Sequence, residues 1–272
     1  MPGTARRAKQ QVIADDLRAA ILSGQHEDGA RLPSENELAR DYGVAALTAR
    51  RALATLRDEG LAVSRTGAGF FARRPQPARR IGSDRYQREV DQIPARIGMR
   101  PPAETSFTRD RGIDWADYRL DKTFREVAAP EPVAELLAVE PGTLLLARHF
   151  VFYAKGQPEQ LSDSYLPLSL VADTPVADPA NEPWPGGNIA QLATLGIVVT
   201  RVRESVRARR PTGDEARTLR IPAGAPVFAI TRVMLAGPGR DQPVEAAVDI
   251  VIPADRTVLD YAIDLDPPAD PA

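Results

Sequence analysis

A two-domain α+β chain, with a helical domain ending in a small hairpin and then a mainly antiparallel sheet with packed helices, is what the 272 residues predict. Three observations lead there. Residues 33–71 read as helix, glycine turn, helix and glycine hairpin; a proline-rich stretch at 75–80 breaks the chain; beyond it, one pattern of helix, turn and hairpin occurs twice.

In the first stretch, Ser34 followed three residues later by Glu37 forms a capping box, two side chains that satisfy orphan backbone donors at a helix start. The helix presents Leu38, Ala39 and Tyr42 inward, and Gly43 stands where a sharp turn needs positive φ. A second helix runs to about Glu59. Its Ala49, Ala52, Leu53 and Leu56 recur at core spacing, which turns Leu47, Thr48, Arg50 and Arg51 outward. Gly60 closes it, and two short strands, 61–65 and 70–72, flank Thr66-Gly67-Ala68-Gly69 as a wing. An amphipathic helix over 8–23, with Ile13, Leu17, Ala20 and Ile21 as its stripe and Gly24 as its stop, supports the pair. An isolated helix with two outward arginines is usually just a solvated face. In this order, however, the elements suggest a winged helix-turn-helix, whose second paired helix enters the major groove.

LPSENELARDYGV, the following TARRAL and the EGL…TGAGFF ending together resemble the amino-terminal domain of GntR-family transcriptional regulators. The resemblance implies base or backbone contacts by Thr48, Arg50 and Gly67, and puts Asn36 where many relatives have Arg. With Ser34, Leu47 and Thr66 on the same surface, and Arg51 and Arg65 as phosphate contacts from charge alone, this is the expected DNA-facing set. One departure stands out. The family commonly has Ser or Thr and then Arg after the Gly-Val turn, where this chain has Ala45-Ala46. Ala45 cannot cap, at a cost of about 0.5–2 kcal/mol. Ala46 cannot bond a guanine, a contact worth about 1–3 kcal/mol of discrimination.

Charge follows the same division. Residues 1–80 carry 14 Arg and Lys against 9 Asp and Glu, while 81–272 carry 21 against 28, so a net charge of -2 hides a basic first domain. Cysteine is absent, which excludes disulfides, thiolate nucleophiles and cysteine metal sites. No apolar run approaches a membrane span, and the polar, basic start is unlike a signal peptide; a cytoplasmic protein is expected.

The reading divides the chain into a DNA-binding domain at 1–74, an irregular linker at 75–117 and a sheet domain at 118–272. In the sheet domain, a helix near Glu135, a strand from Leu144 to Tyr153 and a returning strand ending at Pro167 are matched by a helix near Glu215, a strand from Val227 to Leu235 and a return ending at Pro253. Between them, Asn188 is a helix cap and Gly196 a stop. Residues 197–209 then alternate, Val198, Val202, Val206 and Ala208 on one face and Arg201, Arg203, Arg207 and Arg209 on the other. The arginine face is by default an exposed one. This half resembles the UTRA effector-sensing domain of the HutC branch of the GntR family, over about 118–261. The fold is shared with chorismate lyase, which keeps an enzyme fused to a winged helix as the alternative.

The doubled hairpin puts Arg148 and Arg232, and likewise Asp163 and Asp249, at equivalent points. Glu245, in Pro243-Val244-Glu245, resembles the UTRA glutamate that faces the ligand. Charged groups on inner strand positions are costly to bury unless paired or used on a ligand, and both outcomes are open for Arg148, Asp163, Arg232 and Glu245. Tyr165 stacks on an effector or packs in the core. Relatives that sense phosphorylated sugars hold phosphate at the helix start after the Gly-rich loop; here Gly186-Gly187-Asn188 leaves the backbone amides without the Ser or Thr. The expected effector set is therefore Arg148, Asp163, Tyr165, Asn188, Arg232 and Glu245. His26 and His149 are the only histidines. Neither sits in a nucleophile or metal motif, and His149 should pack against a helix, so no catalytic residue, cofactor or metal is expected. The resemblance implies a homodimeric, effector-responsive repressor on an inverted-repeat operator, with a sensor or dimerisation module of weakened DNA binding as a further alternative.

Overall fold

The structure is a computed structural model that describes residues 9–65, 67–74, 78–81, 85–91, 93, 105–184, 186–237, 239 and 242–261. The chain divides into two compact units: residues 1–76 with 210–216 and 221–225, and residues 77–209 with 217–220 and 226–272.

The first unit is built on α1 (Lys9–Ser23), α2 (Glu35–Tyr42) and α3 (Ala46–Asp58), followed by the antiparallel strands β1 (Ala62–Arg65) and β2 (Gly69–Ala72). The capping box is formed: the Ser34 hydroxyl accepts from the Glu37 amide at 3.3 Å, and Glu37 accepts from the Ser34 amide at 2.7 Å. Gly43 ends α2 in the left-handed region at φ 59°. Ile13, Leu17, Leu38, Ala49, Ala52, Leu53 and Leu56 meet in one core with Leu61, Ala62 and Ala72 from the hairpin. Polar pairs tie the rim: Arg18 binds Glu59 through Nε at 2.8 Å and Nη2 at 2.6 Å, and the Tyr42 hydroxyl donates to Asp16 at 3.0 Å.

The second unit begins differently from the expected irregular linker. Among the described residues of 75–117, β3 (Ala78–Ile81), α4 (Arg85–Asp91) and α5 (Ser106–Arg111) are regular elements. Thr105 caps α5 with its side chain, a signal that the scattered prolines and arginines obscured. The remaining elements of the chain are β4 (Tyr118–Ala128), α6 (Glu131–Leu137), β5 (Leu144–Ala154), β6 (Gln157–Pro167), α7 (Leu168–Val171), α8 (Gly187–Thr194), β7 (Val199–Arg209), α9 (Gly213–Leu219, divided between the two units after residue 216), β8 (Val227–Ala236), β9 (Gln242–Pro253) and β10 (Thr257–Asp260). β10 runs parallel to β3.

Six strands form one antiparallel sheet in the order β4-β5-β6-β9-β8-β7. The repeat seen in the sequence is thus strand, helix and hairpin, twice, and the two halves join at β6 and β9. The register runs a single row across all six strands: Phe124, Arg148, Ser164, Ala247, Arg232, Glu204. Arg148 and Arg232 are therefore equivalent about the Ser164–Ala247 pair. Asp163 and Asp249 are not, because the irregularities in β6, β8 and β9 offset the count; Asp249 has φ 52° and pairs with Arg207 and Arg209. One sheet face carries α6, with Val133, Ala134 and Leu137 packed on Leu145, Val233 and Ala246. The other carries α7 and α8, with Val171, Ile189 and Leu192 against Leu146, Leu166 and Met234. The expected apolar face of β7 is covered only in part: Val202 packs on the core of the α7 and α8 face, whereas Val206 is 38% exposed and Val198, just before the strand, 67%, as befits a strand at the sheet edge with one neighbour.

Candidate DNA-binding face and effector pocket

On the first unit, the core face of α3 leaves an outer face bearing Leu47, Arg50 and Arg51, all exposed, with Thr48 half-buried beside them. Arg50 donates through Nε to both oxygens of Glu35 at 2.9 Å, which holds its guanidinium above the ordinary range. Ser34 is half-buried and its hydroxyl accepts within the capping box, leaving its O–H as a donor; Asn36 is exposed in the first turn of α2. Arg65 lies over the Phe71 ring, 4.3 Å from its centroid, so the wing carries a fixed cation. Gly67, at φ 75°, makes the wing tip. Thr66, expected beside it, lies outside the described residues. Ala45 occupies the α3 N-cap with φ -69° and ψ 146° and makes no side-chain cap bond, as its methyl group dictates.

On the second unit a cavity of about 120 Å3 opens on the α8 face of the sheet. The sheet supplies Ser162, Ser164, Arg232 and Met234; the loop before α8 and its first turn supply Glu182, Trp184 and Gly186 to Asn188. The unforeseen wall is the segment read as linker: Arg85 and Glu89 from α4, and Ser106, Phe107 and Arg109 from α5. Tyr118, Phe150 and Phe152 make an aromatic side, with the Phe107 ring tilted against Phe152, 5.3 Å between centroids.

A buried polar network floors this cavity. Glu245, 0% exposed, accepts from Ser164 at 2.8 Å, Asn188 at 3.0 Å and Arg232 Nη2 at 2.8 Å. Arg148, 1% exposed, donates to Ser164 at 2.8 Å and to Gln191 at 2.7 Å; Gln191 in turn donates to Glu182 at 2.6 Å. The two arginines differ in their surroundings. Burial pushes the Arg148 guanidinium below its ordinary range, with Glu182 and Glu245 opposing, and its Nε finds no partner. At Arg232 burial works against the charge too, but the direct pair with Glu245 outweighs it and the shift is upward. Burial and Glu182 push the Tyr118 phenol up as well.

Of the six residues expected at the effector, Asn188 and Arg232 line the cavity, while Glu245 and Arg148 stand directly behind them in the network. Asp163 and Tyr165 do not join them. Side chains alternate along a strand, so with Ser164 toward the cavity its neighbours face the α6 side. Asn188 is not the cap: Gly186 holds that position, and the Asn188 amide is spent on Glu245. His149 does not pack as expected against a helix; its side chain is 44% exposed and its Nδ1 lies 2.6 Å from Asp163, which raises its pKa. Glu182, Gln191 and Ser164 escaped the sequence reading. Ser164 alone had a signal, as the residue two before Leu166 on a returning strand. A second buried cluster anchors the α5 wall: Glu159 bridges Arg111 at 2.8 Å and Arg256 at 2.7 Å. Among the described residues no metal-ligand cluster exists, and no helix is long and apolar enough to cross a membrane.

A winged helix-turn-helix with a cationic recognition face, joined in one chain to a sheet domain with a polar-floored cavity, defines a transcription factor with a ligand-binding-type domain. Residues 9–72 match the description "Bacterial regulatory proteins, gntR family", and residues 122–256 match the UTRA domain. A crystal structure of a GntR-family transcriptional regulator is 30% identical, covering 96% of this chain and 99% of that one, with a TM-score of 0.58. An HTH-type transcriptional regulator of Streptomyces coelicolor is 28% identical over 82% of each chain, and the HTH-type transcriptional repressor NagR of Bacillus subtilis is 25% identical over 81% of each. The structure of PhnF from Mycobacterium smegmatis shares the fold at 21% identity and a TM-score of 0.51, covering 93% of this chain and all of that one. The chain belongs to the GntR family of DNA-binding transcriptional regulators, with a UTRA domain as its second part. The relatives named here are regulators, which does not favour the enzyme alternative.

Proposed function

We propose that the protein is an effector-responsive repressor of the HutC branch, acting in the cytoplasm as a homodimer on an inverted-repeat operator. Ser34, Asn36, Leu47, Thr48, Arg50, Arg51, Arg65, Thr66 and Gly67 make its DNA-facing set, and a small molecule enters the cavity beside Asn188 and Arg232. One observation carries the effector part of this reading: α4 and α5, which follow the DNA-binding domain in sequence, supply part of the cavity wall. An effector that touches them touches the segment that follows the DNA-binding domain along the chain. It shifts DNA binding only by its difference in affinity for the two arrangements. The name of the NagR relative, a repressor, supports the sign of regulation.

The test is selection from random duplex DNA at near-physiological salt, parent beside Arg50→Ala. An enriched inverted repeat lost in Arg50→Ala supports the reading; enrichment of a single, unrepeated site overturns the dimeric operator. The selected operator then serves to screen small molecules for release, with Arg232→Met expected to abolish the response.

A further inference from the structure

The front of the recognition helix is apolar. Ala45, Ala46 and Leu47 are all exposed, and Leu47 is 56% exposed, among the most exposed large hydrophobic side chains of the described residues. A single exposed leucine is ordinary on a protein surface. This one is distinguished by its neighbours. Arg50 and Arg51 follow it at three and four residues, so all three share one face of α3. Arg51 is exposed with no side-chain partner among the described residues, and Arg50 is held at the surface by Glu35. An apolar edge bordered by cations on a helix is complementary to a surface with apolar groups on its floor and anions along its walls. The major groove is such a surface, and the thymine C5-methyl is the apolar group it presents. Guanine readout at these positions would need N–H donors, and Ala46 and Leu47 have none on their side chains.

We propose that Ala46 and Leu47 read thymine methyl groups, so that the operator half-site carries thymines where the start of α3 enters the groove. This rests on the reading of α3 as the recognition helix, and it makes these two residues determinants of base preference. The absence of a polar N-cap then has a use: the first turn of α3 offers no side-chain hydrogen-bonding group ahead of Thr48 to compete with methyl contact.

The experiment uses the full chain and the operator obtained by selection. Each thymine of the half-site is replaced in turn by 2′-deoxyuridine, which pairs identically and lacks only the methyl group, and dissociation constants are measured by fluorescence anisotropy. The parent is expected to lose about four-fold in affinity at each contacted thymine, the equivalent of about 0.8 kcal/mol per buried methyl group. Leu47→Ala is expected to lose that dependence at the position Leu47 reads while keeping its fold, since the residue is exposed and alanine favours helix. Ala46→Arg, given a donor, is expected to shift the selected base there towards guanine. Undiminished parent binding to every uracil-substituted operator overturns the proposal and leaves DNA recognition standing, as does a selected half-site without thymine; the apolar edge would then serve a protein partner. Failure to enrich any sequence overturns both the proposal and the reading beneath it.

Discussion

The DNA-binding unit and the sheet unit place their polar side chains in opposite ways. In the first, the core is wholly apolar and the polar pairs lie at its rim or outside: Ser34 with Glu37, Glu35 with Arg50, Arg18 with Glu59. In the second, Arg148, Ser164, Gln191, Arg232 and Glu245 come from five elements and meet in the interior, up to 81 residues apart for Ser164 and Glu245. An exposed pair exchanges readily with water and with phosphate, so it can be given up on DNA at little cost. A buried network is costly to leave half-satisfied, so whatever displaces one member must replace its bonds. The first arrangement suits a face that must open to a partner, and the second a cavity that must reject all but a matching ligand.

The largest test breaks the second arrangement. Glu245→Ala leaves Ser164, Asn188 and Arg232 without their common acceptor, and urea denaturation should show a loss of about 3–5 kcal/mol, the range for breaking a buried pair. A loss below 1 kcal/mol would mean that water enters the floor of the cavity freely. Next in size, Arg50→Ala should leave stability within about 0.5 kcal/mol and weaken operator binding by the equivalent of about 1–3 kcal/mol; equal loss for random DNA would make Arg50 a phosphate contact only.

Two N-caps in one unit sharpen the contrast between caps that are filled and caps that are empty. Ser34→Ala should lower stability by about 1 kcal/mol, and Ala45→Ser, at a backbone already suited to a cap, should raise it by a similar amount. Glu37 adds a pH signature. Its bonds to the Ser34 amide and hydroxyl lower its pKa, so its contribution is present above the unfolded pKa and is lost as pH falls through the folded one. Ser34→Ala removes the hydroxyl bond and keeps the larger amide one, so the fall of melting temperature on the acid side should flatten only in part.

The smallest expected effect lies on the α6 face of the sheet. His149 has its pKa raised by Asp163, so its contribution is present below the unfolded pKa and is lost as pH rises through the folded one. Thermal melting between about pH 5.5 and 8 should show the parent losing its advantage over His149→Gln on the alkaline side. With the side chain 44% exposed, solvent screens the pair, and a shift of more than a few degrees would mean a further contact.

The first unit was legible almost to the residue, because caps, glycine turns and helical periodicity act within four residues. Ser34, Gly43 and the Ala49 to Leu56 stripe each specify their own surroundings. The doubled hairpins were legible from the alternation and turn residues of their strands, and they correctly put Arg148 and Arg232 at matching positions. The differences have two causes. Asp163 with Asp249 depended on counting along strands whose register is interrupted, and an irregularity shifts the count without leaving a mark in the sequence; Tyr165 was chosen by residue type and alternates away from the cavity beside Ser164. Asn188 looked like a cap by residue type alone, whereas Glu245, brought near only by the sheet, claimed its amide.

The sequence by itself determined the elements of the first unit, the paired hairpins of the second and the unusual Ala45-Ala46 at the expected recognition surface, since each follows from interactions between near neighbours along the chain. Only the tertiary structure decided that α4 and α5 wall the cavity and that one carboxylate gathers Ser164, Asn188 and Arg232. Strand pairing and helix packing bring together residues that no local rule connects, and the cost of burying charge then dictates which of them must meet.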